Sequence, residues 1–179
     1  MDEIEVKFRI SDPEEMRIKL KQIGAVSKGS VNEKNITFDD PERDFGNDVK
    51  MLRIRDNGKV TITYKGKPQE GRFKHRKEIE IHSDNYETSI ELIKSLGFEP
   101  VWAYEKVRES WFLGETYITI DKLPHMGYWI EIEGSEEDID KTIETLGLNP
   151  QEGSSKTYKR IFQEFCEQNN MEFGDMVFE

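Results

Sequence analysis

Glu3-Ile4-Glu5-Val6-Lys7-Phe8-Arg9-Ile10 opens the chain with a strict alternation of charged and apolar residues. Side chains on a strand point to opposite faces in turn. Ile4, Val6, Phe8 and Ile10 therefore share one face, and Glu3, Glu5, Lys7 and Arg9 the other. A half-buried antiparallel strand shows polar residues on its second face; here every polar position carries a full charge. Glu-Ile-Glu recurs at 78–80 and 131–133. Working outward, alternating segments read as strands at 2–10, 31–38, 50–56, 59–65, 74–82, 102–110, 116–121 and 128–133. Asp56-Asn57-Gly58 marks a hairpin between two of them.

Helix signals follow each Glu-Ile-Glu segment. Ser11 or Asp12 caps a first helix with Pro13, Glu14 and Glu15 in its first turn, an apolar stripe of Met16, Leu20 and Ile23, and Gly24 as stop. A second runs from Asp84 or Asn85 to Gly97, and a third from Ser135 to Gly147 with Asp138 in the capping-box position. A fourth spans about 155–170, and the segment 171–179 reads as a loosely tied tail of a single 1–179 domain. Many strands, few helices and short antiparallel links give an α+β class. The expected architecture is a closed or nearly closed eight-stranded antiparallel β-barrel with helices packed outside and a charged lumen.

The same parity, applied to the other strands, puts Arg53, Arg55, Lys65, Arg76, Glu78, Glu80, Lys106, Arg108, Asp121, Glu131 and Glu133 on the face of Glu3, Glu5, Lys7 and Arg9. The apolar face must meet the helices, so these charges turn inward. Enclosed ions cost several kcal/mol each unless paired or bound to something. Carboxylates beside guanidinium and ammonium groups suit a metal–polyphosphate complex. Hard cations take carboxylate oxygens, and Arg and Lys match phosphate.

Composition narrows the function classes. Acidic residues outnumber basic ones 37 to 26, for a net charge of -11, which opposes nucleic acid and anionic membranes. One cysteine, Cys166, excludes a disulfide scaffold, and His75, His82 and His125 are too scattered for a zinc site. No apolar run approaches the ~20 residues of a membrane span, so the expected location is the cytoplasm. Trp102, Trp111 and Trp129 read as packing residues, and Phe38 as a candidate for stacking an adenine.

The ordered set Glu3-x-Glu5-x-Lys7, Leu52-Arg53-Ile54-Arg55, Thr63-Tyr64-Lys65-Gly66, Arg76-x-Glu78-x-Glu80, Lys106-x-Arg108, Asp121, Glu131-x-Glu133 and Lys156-x-Tyr158 resembles the CYTH superfamily, which includes CyaB-type class IV adenylyl cyclases and thiamine triphosphatases. Pro41-x-Arg43-Asp44-Phe45 and Leu96-Gly97-Phe98 resemble the CyaB-type branch. Asn35 and Thr37 depart from it, replacing an acidic and an aromatic position, and so bear on nucleotide-specific contacts.

The resemblance implies a triphosphate tunnel working with Mg²⁺ or Mn²⁺. Glu3, Glu5, Asp121, Glu131 and Glu133, joined by Glu78 and Glu80, resemble the metal-holding group. Lys7, Arg53, Arg55, Lys65, Arg76, Lys106, Arg108 and Lys156 resemble the phosphate-holding group, and Glu5, Lys65, Asp121 and Glu133 are the catalytic candidates. The implied activity is adenylyl cyclase, converting ATP to cyclic AMP and pyrophosphate. The alternative is an inorganic or thiamine triphosphatase, and a non-catalytic polyphosphate-binding module comes third. The implied partner is a small triphosphate, with no nucleic acid and no membrane, for a monomer or homodimer.

Overall fold

The computed structural model describes residues 2–40, 50–69 and 74–179. Pro41-x-Arg43-Asp44-Phe45 lies outside the described residues, and Glu3, His75 and Arg76 are described in backbone only. The elements in order are β1 (Asp2–Ile10), α1 (Pro13–Gln22), β2 (Val26–Asp39), β3 (Met51–Asp56), β4 (Val60–Gln69), β5 (Lys74–Ser83), α2 (Tyr86–Ser95), β6 (Glu99–Leu113), β7 (Thr116–Leu123), β8 (Gly127–Glu133), α3 (Glu136–Leu146), a 3-10 turn at Pro150–Glu152 and α4 (Tyr158–Gln168). No helix among the described residues is long and apolar enough to cross a membrane.

The strands form a closed antiparallel barrel in the order β1-β5-β4-β3-β2-β6-β7-β8. β1 closes it, pairing with β5 through residues 2–5 and with β8 through residues 5–10. Facing residues in antiparallel pairs share a face, and the register carries one parity around the circle. Lys7 faces Glu131, Asp121 faces Arg108, Lys106 faces Glu33, Asn35 faces Arg55, Arg53 faces Thr63 and Lys65 faces Glu78. β2 and β6 are longer than their alternation suggested. They pair from Val26–Phe112 to Asp39–Glu99, with register shifts at Ser27/Gly29 and Thr37/Phe38. Bulges of this kind bend a strand and help a sheet curl.

The helices begin where local chemistry dictates. Asp12 Oδ1 accepts the N–H groups of Glu14 and Glu15 at 2.9 and 3.0 Å, which satisfies orphan donors of the first turn. Ser135 accepts from the Asp138 N–H at 3.2 Å and donates to its carboxylate at 2.6 Å. Gly147 ends α3 at φ 69, a conformation that costs glycine little.

Outside the barrel, Met16 and Leu20 of α1 and Ile139, Ile143 and Leu146 of α3 pack on Val6, Phe8, Ile118, Ile120, Ile130, Ile132 and Trp111. Each such side chain, fully buried, contributes about 1.5–3 kcal/mol. Ile93 of α2 covers Phe38, Leu52, Ile54 and Val60. The cover is incomplete, contrary to the expectation that helices meet the whole apolar face: Ile79 and Ile81 of β5 are 49% and 58% exposed.

α4 is placed differently. Tyr158, Ile161, Phe162 and Cys166 pack with Trp102, Tyr104, Leu123 and Met126. Trp102, Tyr104 and Leu123 have the inward parity of Lys106 and Asp121, so α4 closes the barrel end where β6 begins and β7 stops. Two irregular segments finish that end. Ser154 exchanges hydrogen bonds with Lys7 on β1 at 2.9 and 2.8 Å.

The segment 171–179 is not the loosely tied tail expected from sequence. Met176, 0% exposed, exchanges backbone hydrogen bonds with Ala103 and Glu105 at 3.0 and 2.8 Å. Gly174 O accepts from Trp102 Nε1 at 3.0 Å, and Asp175 accepts from the Ala103 N–H at 2.8 Å. The tail thus lies along the stretch of β6 that β7 is too short to pair.

Candidate functional site

The lumen holds most of the charged residues singled out above. Glu5, Lys7, Arg53, Lys65, Lys106, Asp121 and Glu131 are all buried, with Asp121 0% exposed. Parity on six separate strands brings them together, and closure of the barrel turns that face inward.

Asp121 is the hub. Arg108 donates to it through Nε at 2.7 Å and a terminal nitrogen at 2.6 Å, Lys106 Nζ at 3.2 Å and the Tyr158 hydroxyl at 2.8 Å. Burial pushes the Asp121 carboxyl up, but Arg108, Lys106 and the hydrogen bonds outweigh it and hold the carboxyl well below its ordinary range. Arg108 also reaches Glu131 at 2.8 Å. Burial lowers the Arg108 guanidinium, yet Asp121 and Glu131 raise it well above its usual value. Burial and Asp121 likewise raise the Tyr158 hydroxyl, keeping it a donor.

A second group lies on β1 and β8. Lys7 Nζ stands 2.9 Å from Glu5 and 3.4 Å from Glu131. Burial raises the Glu131 carboxyl above the usual range and the Glu5 carboxylate adds to this, against Lys7 and Arg108. Two crowded, buried carboxylates are a donor set that a divalent cation relieves. Mg²⁺ is commonly held by one or two carboxylates, with waters and phosphate oxygens completing its shell. No group of three acidic or histidine side chains forms a cation cage among the described residues. Two carboxylates are a donor set to which such a cation could bind while its other positions are filled from outside the protein. Glu133 sits beside Glu5 in register.

The opposite wall is cationic. Lys65 pairs with Glu78 at 2.8 Å, and Arg55 with Glu80 at 3.4 Å. Arg53 donates to the Tyr104 hydroxyl at 3.3 Å. The Nε atoms of Arg53 and Arg55 are buried with no hydrogen-bond partner among the described residues. Such donors are costly when unsatisfied and point at an anion.

Lys156 is not in the lumen. It is exposed, bonding Glu164 of α4 at 2.8 Å. Arg9 keeps inward parity but is exposed at the end of β1. Phe38 is excluded as an adenine platform because it faces outward into the α2 cluster. Trp102 and Trp111 pack as expected, Trp102 stacked on Tyr104 with centroids 4.5 Å apart. Cys166 is buried.

Sequence reasoning gave no site role to Glu33 or Tyr158. Glu33 is 2% exposed and 3.5 Å from Lys106. Burial raises its carboxyl, but Lys106, Arg108 and Arg55 outweigh that and hold it low. Its position two residues before Asn35 and four before Thr37 was a usable signal. Tyr158 packs in the α4 cluster, yet its ring stands 5.4 Å from the ammonium groups of both Lys7 and Lys106, a cation–π arrangement that only the placement of α4 reveals.

Comparison with known proteins agrees with this fold. The family model described as the CYTH domain matches residues 1–159. A Methanocaldococcus jannaschii protein provisionally named an adenylate cyclase is 33% identical over 150 residues, which is 82% of this chain and 86% of that protein. A solved Pyrococcus horikoshii structure aligns at 27% identity and TM-score 0.78, covering 91% of this chain and 99% of the other. A Hippeastrum protein, titled as an adenylyl cyclase candidate with a dominant triphosphatase activity, shares the fold at 15% identity and TM-score 0.66, covering 92% and 95%.

Proposed function

The chain belongs to the CYTH family of enzymes, and from that premise we propose that it is a divalent-metal-dependent adenylyl cyclase working inside the barrel. The observation that carries this reading is the enclosed lumen itself, with paired carboxylates on β1 and β8 facing guanidinium donors left unspent on β3.

In this reading Lys7, Lys65, Lys106, Arg53, Arg55 and Arg108 bind the triphosphate, and Asp121 positions Arg108 and Lys106 for it. Arg76 would join them from β5. Glu5 and Glu131 would hold the cation together with phosphate oxygens, with Glu133, beside Glu5 in register, as a further carboxylate and Glu3, Glu78 and Glu80 at the margin. A bound cation would supply Lewis-acid neutralisation of phosphate oxygens. The ribose 3′ oxygen bonds to the α-phosphorus of ATP, the bond to the β-phosphate oxygen breaks, and pyrophosphate leaves against the lumen cations. The hydroxyl proton passes to a lumen carboxylate. Fixed charges that need no reorganisation account for most of such catalysis.

A triphosphatase is the second reading. The same residues would hold an inorganic or thiamine triphosphate while water attacks the terminal phosphorus, and the Hippeastrum protein of this fold carries that activity in its title. Incubation with ATP, thiamine triphosphate and inorganic triphosphate in Mg²⁺ and in Mn²⁺, with separation of products, distinguishes them. Cyclic AMP with pyrophosphate supports the first, and free phosphate the second. Saturable binding without turnover in either metal would overturn both and leave a binding module.

A further inference from the structure

Asn35 differs in kind from the rest of the lumen wall. It is 2% exposed, and neither its Oδ1 nor its Nδ2 has a hydrogen-bond partner among the described residues. Of its neighbours on the same face of β2, Thr37 donates to the Trp102 carbonyl at 2.9 Å, while Glu33 stands 3.5 Å from Lys106 as an ion pair and has an acceptor oxygen, not a donor, left unspent. Across the ladders it faces Arg55 on β3 and Tyr104 on β6. A buried primary amide with donor and acceptor both unspent is expensive. A side chain of this kind calls for a partner from outside the protein wall, and in a lumen built to take a ligand that partner is the ligand.

The type of ligand follows from the pairing of atoms. The unspent atoms of Arg53 and Arg55 are donors only, which suits phosphate oxygens. Phosphate offers acceptors only, so it could satisfy Nδ2 but would set oxygen against Oδ1. A group satisfying both atoms must present a donor next to an acceptor. An amino group beside a ring nitrogen does so: asparagine pairs with adenine through N6 and N7, and N6 beside N1, on the pyrimidine ring, offers the same donor–acceptor pair. An aminopyrimidine edge is common to adenine and to thiamine.

We infer that Asn35 is a specificity-determining residue that reads the aminopyrimidine edge of an organic triphosphate, while the arginines beside it hold the phosphates. The inference rests on the triphosphate reading of the lumen and names the substrate class that reading leaves open.

The test measures dissociation constants by calorimetry, in EDTA, for inorganic triphosphate, ATP, inosine triphosphate and thiamine triphosphate. Inosine triphosphate replaces the amino donor and ring acceptor with a carbonyl and an N–H. Wild-type protein should prefer ATP to inosine triphosphate by about tenfold or more, the scale set by one or two hydrogen bonds to a buried amide. Asn35→Ala should reduce that preference to about twofold or less and lower the ratio of ATP to inorganic-triphosphate affinity about tenfold. The stronger binder of ATP and thiamine triphosphate identifies the source of the edge. Equal wild-type affinity for ATP and inosine triphosphate overturns the inference without any variant. An Asn35→Ala effect as large on inorganic triphosphate as on ATP also overturns it, making Asn35 a phosphate or packing residue. Failure of wild-type protein to bind inorganic triphosphate both in EDTA and with Mg²⁺ added is a different result, which sinks the triphosphate reading and this inference with it.

Discussion

Asp121→Asn is the most informative single change, because it preserves shape and alters only charge and hydrogen-bond polarity. The Asp121 oxygens accept from Arg108 twice, from Lys106 and from Tyr158. The Asn amide can place its oxygen on Arg108 Nε. Its NH₂ then faces the second Arg108 nitrogen and the Lys106 ammonium, which can only donate, and the Tyr158 hydroxyl, which must turn to accept. Removing one partner from a buried ionic cluster costs about 3–5 kcal/mol. At about 2–4 °C per kcal/mol for a chain of this size, the apo variant should melt about 6–20 °C below wild type in scanning calorimetry. Excess inorganic triphosphate should restore much of this, since a polyanion replaces the missing charge and a ligand at 100 times its Kd adds about 2.7 kcal/mol. Acid provides a second readout. The folded Asp121 carboxyl lies below its ordinary value, so its contribution is complete above the unfolded value of about 3.9 and is lost as pH falls through and below it. The variant should lose that acid limb. A melting temperature within about 2 °C of wild type, with the acid limb intact, would refute the view that these charges form one coupled lumen network.

Other expectations concern the two halves of the site and its closed end. Glu5→Gln and Glu133→Gln should each reduce turnover at least about 100-fold if these carboxylates hold the cation; full activity of either in a metal titration would remove it from the metal group. Arg55→Ala should raise the KM for triphosphate about tenfold or more with little change in melting temperature, because the apolar face it opposes is untouched. A collapse in stability with unchanged KM would make Arg55 structural. Metal and triphosphate added together should raise the melting temperature more than either alone, which thermal-shift measurements can read directly. Deleting residues 171–179 should cost at least about 3 kcal/mol in urea unfolding, through loss of buried Met176 and of the hydrogen bonds to β6. Wild-type stability of the truncated chain would mean that the docked tail is dispensable.

Much of this molecule was legible from the sequence because β-structure has a period of two. Once Glu3 to Ile10 was read as alternating, the same parity on later strands named the lumen charges and the outward core, and caps such as Asp12 and Ser135 marked the helix starts. Local chemistry of that kind depends on neighbours within four residues, which the sequence states outright. What remained hidden depended on where elements finish relative to one another. β7 ends at Leu123 while β6 starts at Glu99, and that difference in length creates the uncovered edge on which Gly174 to Met176 dock. α4 looks like any amphipathic helix, yet it lies across a barrel end, which turns Tyr158 from core residue into a partner of Asp121. Phe38 and Asn35 are three residues apart and face opposite ways, one into the α2 cluster and one into the lumen. The sequence by itself determined which residues share a face, because alternation is a property of the backbone. Only the closed tertiary structure decided that the charged face is the inside, because enclosure needs every strand to find its neighbour before any charge is removed from water.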